Sequence, residues 1–201
     1  MEFTIRVAAA EDAAYAQQIC DLIKDSAKSR GTGIAEREPA YICTKIQNGN
    51  AVIALQGEQL AGFCYIEVWS HDRYVANSGL IVAPEFRRFG LAKQIKARIF
   101  QLSRDKFPEA SIFGITTSLA VMRINSKLGY EPVTFSELTQ DEAFWNGCRS
   151  CPNFDILERN QRRMCLCTAM LAPAAVEVAE NMATDLSDLI IADEKVAGNI
   201  L

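Results

Sequence analysis

The hydrophobic residues of this chain recur with two periods, and the places where the period changes divide the sequence into strands and helices. Alternating or continuous apolar runs predict strands at residues 3–7, 50–55, 60–69, 74–82, 111–116, 131–135 and 164–171. Apolar stripes at helical spacing predict helices that begin near residues 10, 38, 90 and 118. The predicted order is a strand, two helices, three strands and then helices and strands in alternation, which indicates an α/β (α+β) protein.

A strand, a basic turn and a helix follow one another between residues 78 and 100. The strand contains the apolar run Leu80–Val82, and Pro84 ends it because proline has no N–H to donate. The turn contains Arg87, Arg88 and Gly90, and apolar residues recur at helical spacing after it. A helix that begins in such a turn directs unpaired N–H groups and the positive end of its dipole at one point. With two arginines and the close approach that glycine allows, this predicts a pyrophosphate site.

Charge and composition exclude several functional classes. The 201-residue chain has a net charge of −4, so we expect no nucleic-acid partner, and no apolar stretch is long enough for us to expect a membrane partner. The N-terminal residues include acids and no apolar signal core, and the seven cysteines are an odd number. Both features predict a cytoplasmic protein with reduced thiols.

The basic turn, Arg87-x-x-Gly90-x-Ala92, resembles the acyl-CoA-binding motif of the GNAT acyltransferase superfamily, Gln/Arg-x-x-Gly-x-Gly/Ala. The order of the predicted elements and the segment from Lys127 to Val133 also resemble that family. The resemblance implies a mixed central sheet of six to seven strands with helices on both faces, formed by a GNAT domain at residues 1–171. Residues 172–201 would be a C-terminal tail, in which residues 183–197 fit a short amphipathic helix.

The same resemblance implies how an acyl-CoA would be held. The backbone of Leu80, Ile81 and Val82 would line the pantetheine arm and polarise the thioester, while the turn would hold the pyrophosphate. The residues implied in the turn are Arg87, Arg88, Phe89, Gly90, Leu91, Ala92 and Lys93. A plain role in the sheet core fits the three strand residues as well, because side chains can pack while the backbone binds.

Proton transfer has no single candidate residue. The tyrosine that often protonates the thiol in this family lies five residues before the aromatic of a Gly-aromatic pair, where this chain has Asn125. Because an amide is not an acid, the candidates for the base are Glu67 and His71, acting directly or through water. His71 also fits a solvated turn, Glu67 also fits a solvent-facing strand position, and an amine deprotonated in solvent could attack without a base.

Several short segments resemble, in the same order, the acyltransferase domain of N-acetylglutamate synthases. They lie at residues 33–37, 114–117, 129–133 and 160–163. The resemblance implies a small amino-acid acceptor, above all glutamate, whose two carboxylates suit arginine forks. The implied acceptor-binding residues are Arg37, Thr117, Arg162 and Arg163. For each arginine, an ordinary surface position is the alternative. The amino-acid-kinase domain of many such synthases has no counterpart here, and Ala76 and Asn77 lie near a position where they often carry an acid.

The acyl donor has two candidates, acetyl-CoA and succinyl-CoA. Residues 145–167 resemble short stand-alone GNAT proteins of bacterial arginine-biosynthesis operons. Some bacteria run that pathway on N-succinyl rather than N-acetyl intermediates. The resemblance therefore implies a role in arginine biosynthesis with either donor.

Four cysteines lie close together in the same region: Cys148, Cys151, Cys165 and Cys167. Two close pairs suit a tetrahedral structural zinc site, and the second pair would share one face of the last predicted strand. That pair lacks the usual two-residue gap, so reduced packing thiols are the interpretation that we favour over zinc.

Two functions of different classes fit these patterns. The first is an acyl-CoA-dependent N-acyltransferase for a small-molecule amine, which could act as a homodimer because apolar edges of GNAT sheets often pair. The second is a non-catalytic, CoA-binding regulatory or scaffolding protein. The missing tyrosine and the tail without a family counterpart favour the second.

Overall fold

The computed structural model describes residues 2–30 and 36–176, and a seven-stranded sheet runs through this part of the chain. The strands are β1 (Thr4–Val7), β2 (Ala51–Gln56), β3 (Gln59–Trp69), β4 (Tyr74–Val82), β5 (Ser111–Thr116), β6 (Glu131–Val133) and β7 (Thr168–Ala172). Their spatial order is β1-β2-β3-β4-β5-β7-β6. Neighbouring strands are antiparallel except β4 and β5, which are parallel, so the sheet is mixed as predicted.

The described residues also form six α-helices. They are α1 (Ala16–Arg30), α2 (Pro39–Gln47), α3 (Leu91–Lys106), α4 (Leu119–Ser126), α5 (Glu142–Asn146) and α6 (Phe154–Arg159). A short 3₁₀ helix, Ala10–Tyr15, leads into α1. Pro39 begins α2, where the missing N–H would have no partner within the helix anyway.

Different helices cover the two faces of the sheet, because neighbouring side chains of a strand point to opposite sides. Val52 of β2 belongs to one core cluster with Ile95 of α3. The next residue, Ile53, belongs to another cluster with Ile19 of α1 and Ile42 of α2. β2 is therefore apolar on both faces, and the prediction of an α/β fold with helices on both faces of a mixed sheet is confirmed.

β4 and β5 separate soon after they begin. Residues 74–76 of β4 pair with residues 111–113 of β5, and these two described strands pair no further. β4 continues to Val82 beside β3, with a shift in register between Phe63 and Tyr65. In the described part of the chain, the second half of β4 thus has no paired strand on the β5 side, which opens a V-shaped gap in the middle of the sheet.

Gly79, in the shifted part of β4, makes room for the ring of Tyr65. Its φ is +64°, and a Cβ at this position would lie 2.3 Å from Tyr65 Cε1. Gly79→Ala adds left-handed backbone strain of roughly 1–2 kcal/mol to an overpacking cost of roughly 1–3 kcal/mol. We expect urea denaturation to show a free energy of unfolding lower by about 2–5 kcal/mol.

Gly57, in the β2–β3 turn, provides a matched control for this prediction. Its φ is +57°, but a Cβ there would meet nothing within 4 Å. Gly57→Ala should therefore show the backbone strain alone, roughly 1–2 kcal/mol. An equal decrease in the free energy of unfolding in the two variants would show that crowding of the new Cβ against Tyr65 does not destabilise Gly79→Ala.

The segment between β6 and β7 differs from the prediction. The predicted strand 131–135 ends at Val133, because Phe135–Glu137 turns into a 3₁₀ helix. The predicted strand 164–171 begins only at Thr168, since β5, its partner, is six residues long and pairs with residues 168–172. Cys165 and Cys167 therefore precede the strand, and the expectation that they share a face of it is wrong. α5 and α6 were not predicted, because helices of five and six residues are too short to show a helical stripe.

The chain leaves the sheet at Ala172, one residue beyond the predicted domain boundary. Pro173 O accepts a hydrogen bond of 2.5 Å from Arg104 Nη2, which ties this end to α3. The predicted helix at 183–197 lies outside the described residues, and the division into domain and tail stays a prediction. Among the described helices, none is long and apolar enough to cross a membrane.

Candidate active site

A cavity of about 500 Å³ lies at the gap between β4 and β5. Its lining comes from α2 and β3, from β4, β5, α3 and α4 around the gap, and from the segment that holds α5 and α6. A cavity of this size accommodates a small metabolite or the reactive end of a cofactor. Because β4 has no β5 partner here, its backbone N–H and C=O groups on that side are placed to bind an extended ligand.

Four side chains form a hydrogen-bonded cluster on the wall made by β3 and the start of α2. Arg37 donates from Nε to Tyr65 Oη at 2.8 Å and from Nη2 to Glu67 Oε1 at 3.2 Å. Tyr41 donates to the same Oε1 at 2.5 Å. All four residues line the cavity, and Glu67 is 4% exposed. Glu67 therefore faces the cavity and not bulk solvent.

The two phenols of this cluster keep their protons and are not bases, although Tyr41 donates a hydrogen bond and Tyr65 accepts one. Burial, reinforced by the charge of Glu67, raises the pKa of Tyr41 and of Tyr65 above the usual range for tyrosine. Both hydroxyls therefore stay protonated at neutral pH. The ammonium of Lys45 lies 4.8 Å from the centre of the Tyr41 ring, and burial lowers the pKa of this lysine. Of the cluster residues, Glu67 is the group suited to accept a proton.

The basic turn lies where the open half of β4 ends. Gly90 is the N-cap of α3 with φ +78°, and a Cβ there would point into open space. The N–H groups of Lys93 and Gln94 both donate to Gly90 O, so the N–H groups before them precede the hydrogen-bond ladder of the helix. Arg87 Nε donates to Val82 O at 3.2 Å, which holds the turn against the end of the strand. The turn thus lies at the end of the same strand whose open half lines the cavity, and its role as a pyrophosphate site stays a prediction.

A family model for the acetyltransferase (GNAT) family matches residues 16–120, from the start of α1 into α4. That is more than half of the chain. This protein belongs to the GNAT acetyltransferase family. The matched residues include β4, the basic turn and α3, so the resemblance noted in the sequence is confirmed together with the activity class of N-acetyltransferase.

This GNAT acetyltransferase is similar to one protein in sequence and to two solved structures in fold. The thialysine N-epsilon-acetyltransferase of Caenorhabditis elegans is 28% identical over 139 residues, which are 65% of this chain and 83% of that protein. The N-acetylglutamate synthase of Neisseria gonorrhoeae, complexed with CoA and N-acetyl-glutamate, matches 87% of this chain with a TM-score of 0.61 and 17% identity. This chain spans 35% of that enzyme's chain. A Mycobacterium tuberculosis protein solved with CoA matches 85% of this chain and 98% of its own, with a TM-score of 0.59 and 17% identity. The two structures confirm the GNAT fold.

The structure brings some of the predicted acceptor-binding residues of this acetyltransferase together and leaves others apart. Arg37 and Thr117 line the cavity. Arg162 makes a bidentate ion pair with Glu142, at 2.6 and 2.7 Å, and is outside the lining. Arg163 is exposed and also outside the lining. The cavity wall therefore contains the first two residues and not the two later arginines, and the acceptor-binding role of all four stays a prediction.

The two candidate bases occupy different environments. Glu67 lies in the cavity wall, whereas His71 is exposed in the β3–β4 turn with φ +54° and is not part of the lining. This position is the solvated turn that the sequence offered as the alternative for His71. The geometry favours Glu67.

Lys96 of α3 lines the same cavity, although no motif in the sequence points to it. It is 2% exposed, and its Nζ donates to Asn77 Oδ1 at 3.2 Å. Nζ also lies 4.8 Å from the centre of the Tyr130 ring. The helical period could have pointed to Lys96, because it precedes Ile99 by three positions and Ser103 by seven and so lies on the buried face of α3. Charged residues are rare on the buried face of a helix, and such a residue is therefore a candidate for a functional role.

The four clustered cysteines line the wall of the cavity near α5 and α6. Within residues 2–30 and 36–176, no group of three or more His, Cys, Asp or Glu side chains is placed to hold a metal ion. Burial raises the pKa of Cys148 to about 11 and that of Cys167 to about 12. Both side chains therefore stay protonated at neutral pH, as expected of packed thiols. The structure therefore gives the zinc interpretation no support and agrees with packing thiols.

Proposed function

We propose that this GNAT acetyltransferase transfers the acetyl group of acetyl-CoA to the amine of glutamate or a close dicarboxylic amino acid. The observation that carries the proposal is the position of Arg37, a partly buried guanidinium in the wall of the cavity where β4 and β5 separate. A fork donor at this point suits a substrate carboxylate a short distance from the reacting amine.

Arg37 is held in place and still has donors to offer. Its Nε and Nη2 bind Tyr65 and Glu67, and its Nη1 donates to Glu36 O at 3.1 Å. A guanidinium has five N–H bonds, so two remain for a ligand. The three contacts fix the plane of the guanidinium before the substrate arrives, which lowers the entropy lost on binding.

Glu67 is suited to receive the proton that the amine must lose. Its Oε1 accepts the bonds from Tyr41 and Arg37, while its Oε2 has no hydrogen-bond partner among the described residues. A substrate ammonium or a bridging water can therefore bind Oε2. Acetyl transfer requires a neutral amine, and Glu67 accepts the released proton directly or through that water.

The donor half of the proposal follows the open edge of β4. The pyrophosphate of CoA binds the N–H groups of the basic turn, and the pantetheine arm runs along the backbone of residues 80–82 into the gap. There the thioester carbonyl accepts a backbone N–H that stabilises the developing negative charge. The thioester then lies between the acceptor cluster and α3.

The relatives support the proposal and also define its alternatives. The solved N-acetylglutamate synthase holds CoA and N-acetyl-glutamate on the same fold, which favours glutamate and, with it, a role in arginine biosynthesis. The Caenorhabditis elegans relative acetylates thialysine, an amino acid with a side-chain amine. Succinyl-CoA in place of acetyl-CoA is a further alternative for the donor.

An acceptor panel in a thiol-release assay tests the proposal. Glutamate, aspartate, glutamine and thialysine are each supplied with acetyl-CoA and, separately, with succinyl-CoA. We expect kcat/KM for glutamate with acetyl-CoA to exceed that for glutamine by about ten- to a hundredfold, because one charge-assisted contact is worth roughly 1.5–3 kcal/mol.

Three results would contradict the proposal in different ways. Equal rates with glutamine and glutamate would remove the dicarboxylate specificity. A preference for thialysine would show that the enzyme acetylates a side-chain amine and not the amine of glutamate. CoA binding without thiol release from any amine would favour the regulatory or scaffolding function instead.

A further inference from the structure

Lys96 is a buried cation that forms no ion pair with any carboxylate of the described residues. Its side chain is 2% exposed, and none of the ion pairs among the described residues includes it. Burying an ammonium group without a counter-charge is unfavourable, since water is lost and no opposite charge replaces it. A packed core alone would accept Leu or Met here, so the lysine calls for a chemical reason.

The position of Lys96 is defined by Asn77, the first residue of β4 beyond its last pair with β5. Asn77 Oδ1 accepts from Lys96 Nζ at 3.2 Å and from Tyr130 Oη at 3.0 Å. Asn77 Nδ2 donates to Ser103 Oγ at 2.8 Å, which orients the amide. Lys96 Nζ is thus held at the vertex of the gap, on the α3 side, while the Arg37–Glu67 cluster lies on the β3 and α2 side.

In the proposed function the thioester lies in this gap, and its cleavage needs a proton there. When a thioester is cleaved by an amine, the leaving sulfur carries a negative charge until it is protonated. Asn125 of α4 also lines the cavity, 1% exposed, but its amide has no proton to give. Its Oδ1 has no hydrogen-bond partner in the described part of the chain.

We propose that Lys96 is the catalytic acid, whose ammonium group gives a proton to the CoA sulfur as the thioester breaks. The acceptor nitrogen attacks the carbonyl carbon and forms the C–N bond. The tetrahedral intermediate then collapses, the C–S bond breaks, and its electron pair goes to sulfur. One proton moves from Lys96 to sulfur, which yields the CoA thiol and a neutral lysine amine. The acceptor nitrogen loses its proton to Glu67 or to solvent, and Lys96 is protonated again from solvent. The inference rests on the acetyl-transfer part of the proposed function and is independent of the acceptor.

The electrostatics around Lys96 agree with this role. Burial lowers its pKa to about 8, close to that of a free thiol, which is where a general acid for a thiolate is effective. The titratable groups that face it are Cys64 of β3 and Tyr130, which follows α4. Burial raises the pKa of both, so they stay neutral near pH 8. Tyr41 and Tyr65 hold their protons too tightly for this step.

The test compares pH profiles of kcat at saturating acetyl-CoA and amine. In the wild-type protein, kcat should fall as the pH rises through about 8, because the ammonium form is lost. Lys96→Met should lower kcat at pH 7.5 by about 100-fold or more, and its residual rate should lack that fall. Lys96→Arg keeps the charge but binds its proton too tightly, so it should also lack the fall. Lys24→Met, at an exposed lysine of α1, should match the wild type. Isothermal titration should show similar CoA affinity in all four proteins.

Three outcomes would overturn the inference: a Lys96→Met kcat within threefold of wild type, a lowered kcat with an unchanged alkaline fall, or a wild-type kcat that rises up to pH 10. The third outcome is measured on the wild-type protein, so the role of Lys96 can be tested even if Lys96→Met does not fold. If glutamate is not acetylated, the same profiles are measured with another amine of the panel, or with water as the acceptor in acetyl-CoA hydrolysis. Loss of glutamate turnover alone would therefore refute the proposed acceptor and not the role of Lys96.

Discussion

Gly90→Val should abolish measurable CoA binding while the protein stays folded. The Cβ of the new side chain would occupy the open space in front of the N-terminus of α3, where the pyrophosphate is expected to bind. At least two charge-assisted hydrogen bonds from the turn would be lost, worth roughly 3 kcal/mol or more, which raises the dissociation constant by more than about a hundredfold. Isothermal titration with CoA measures the effect.

The control for this prediction is Gly129→Val. Gly129 has φ +86°, and a Cβ there would also meet nothing within 4 Å, so the two variants carry similar backbone strain. Gly129 follows α4 and lies outside the basic turn. The melting temperature should fall by a similar amount in both variants, and only Gly90→Val should lose measurable affinity for CoA. If Gly90→Val bound CoA with wild-type affinity, the basic turn would not be the pyrophosphate site.

Arg37→Ala should raise the KM for the acceptor by about ten- to a hundredfold and change the KM for acetyl-CoA far less. The physical reason is the loss of one charge-assisted contact with a substrate carboxylate, worth roughly 1.5–3 kcal/mol. Arg37→Lys should restore binding only in part, because lysine keeps the charge and loses the fork. Steady-state kinetics with each substrate varied in turn separates the two constants.

Arg123→Ala controls for the general loss of a positive charge, since Arg123 is exposed on α4. Removal of Arg37 also takes away the donor to Tyr65 Oη and the ion-pair partner of the buried Glu67, which keeps only its bond from Tyr41, so the free energy of unfolding is measured in parallel. The same substitution at Arg162 and Arg163 tests the other two arginines predicted from the sequence. An unchanged acceptor KM in Arg37→Ala would show that Arg37 does not bind a substrate carboxylate in the cavity.

Local pattern predicted the central part of the fold well because that part obeys local rules. β4 and β5 begin and end where the sequence predicts them, at Tyr74–Val82 and Ser111–Thr116, since both are apolar runs bounded by turn residues. The region between β6 and β7 was predicted poorly. There the structure depends on Trp145 and Leu157 packing with Phe113 of β5, a contact between distant residues that has no periodic signature.

In the candidate site, the sequence predicted only residues that belong to a recognisable motif or family segment, or that have a side chain typical of a base. The basic turn and Arg37 follow from resemblance to family segments. The sequence offered Glu67 and His71 as candidate bases without a preference. Only the fold shows that Glu67 lies in the cavity wall and His71 in an exposed turn. Lys96 has no motif at all, because its environment is built by Asn77 and Tyr130 from other elements of the fold.

The most direct measurement uses acetyl-CoA labelled with ¹³C in the acetyl group, incubated with the protein and unlabelled glutamate. Mass spectrometry then follows the label while a thiol reagent follows free CoA. We expect labelled N-acetylglutamate and free CoA to appear in equal amounts, and both to be suppressed in Gly90→Val. Release of CoA with the label in free acetate, or no release with glutamate at any concentration, would contradict the proposed transfer.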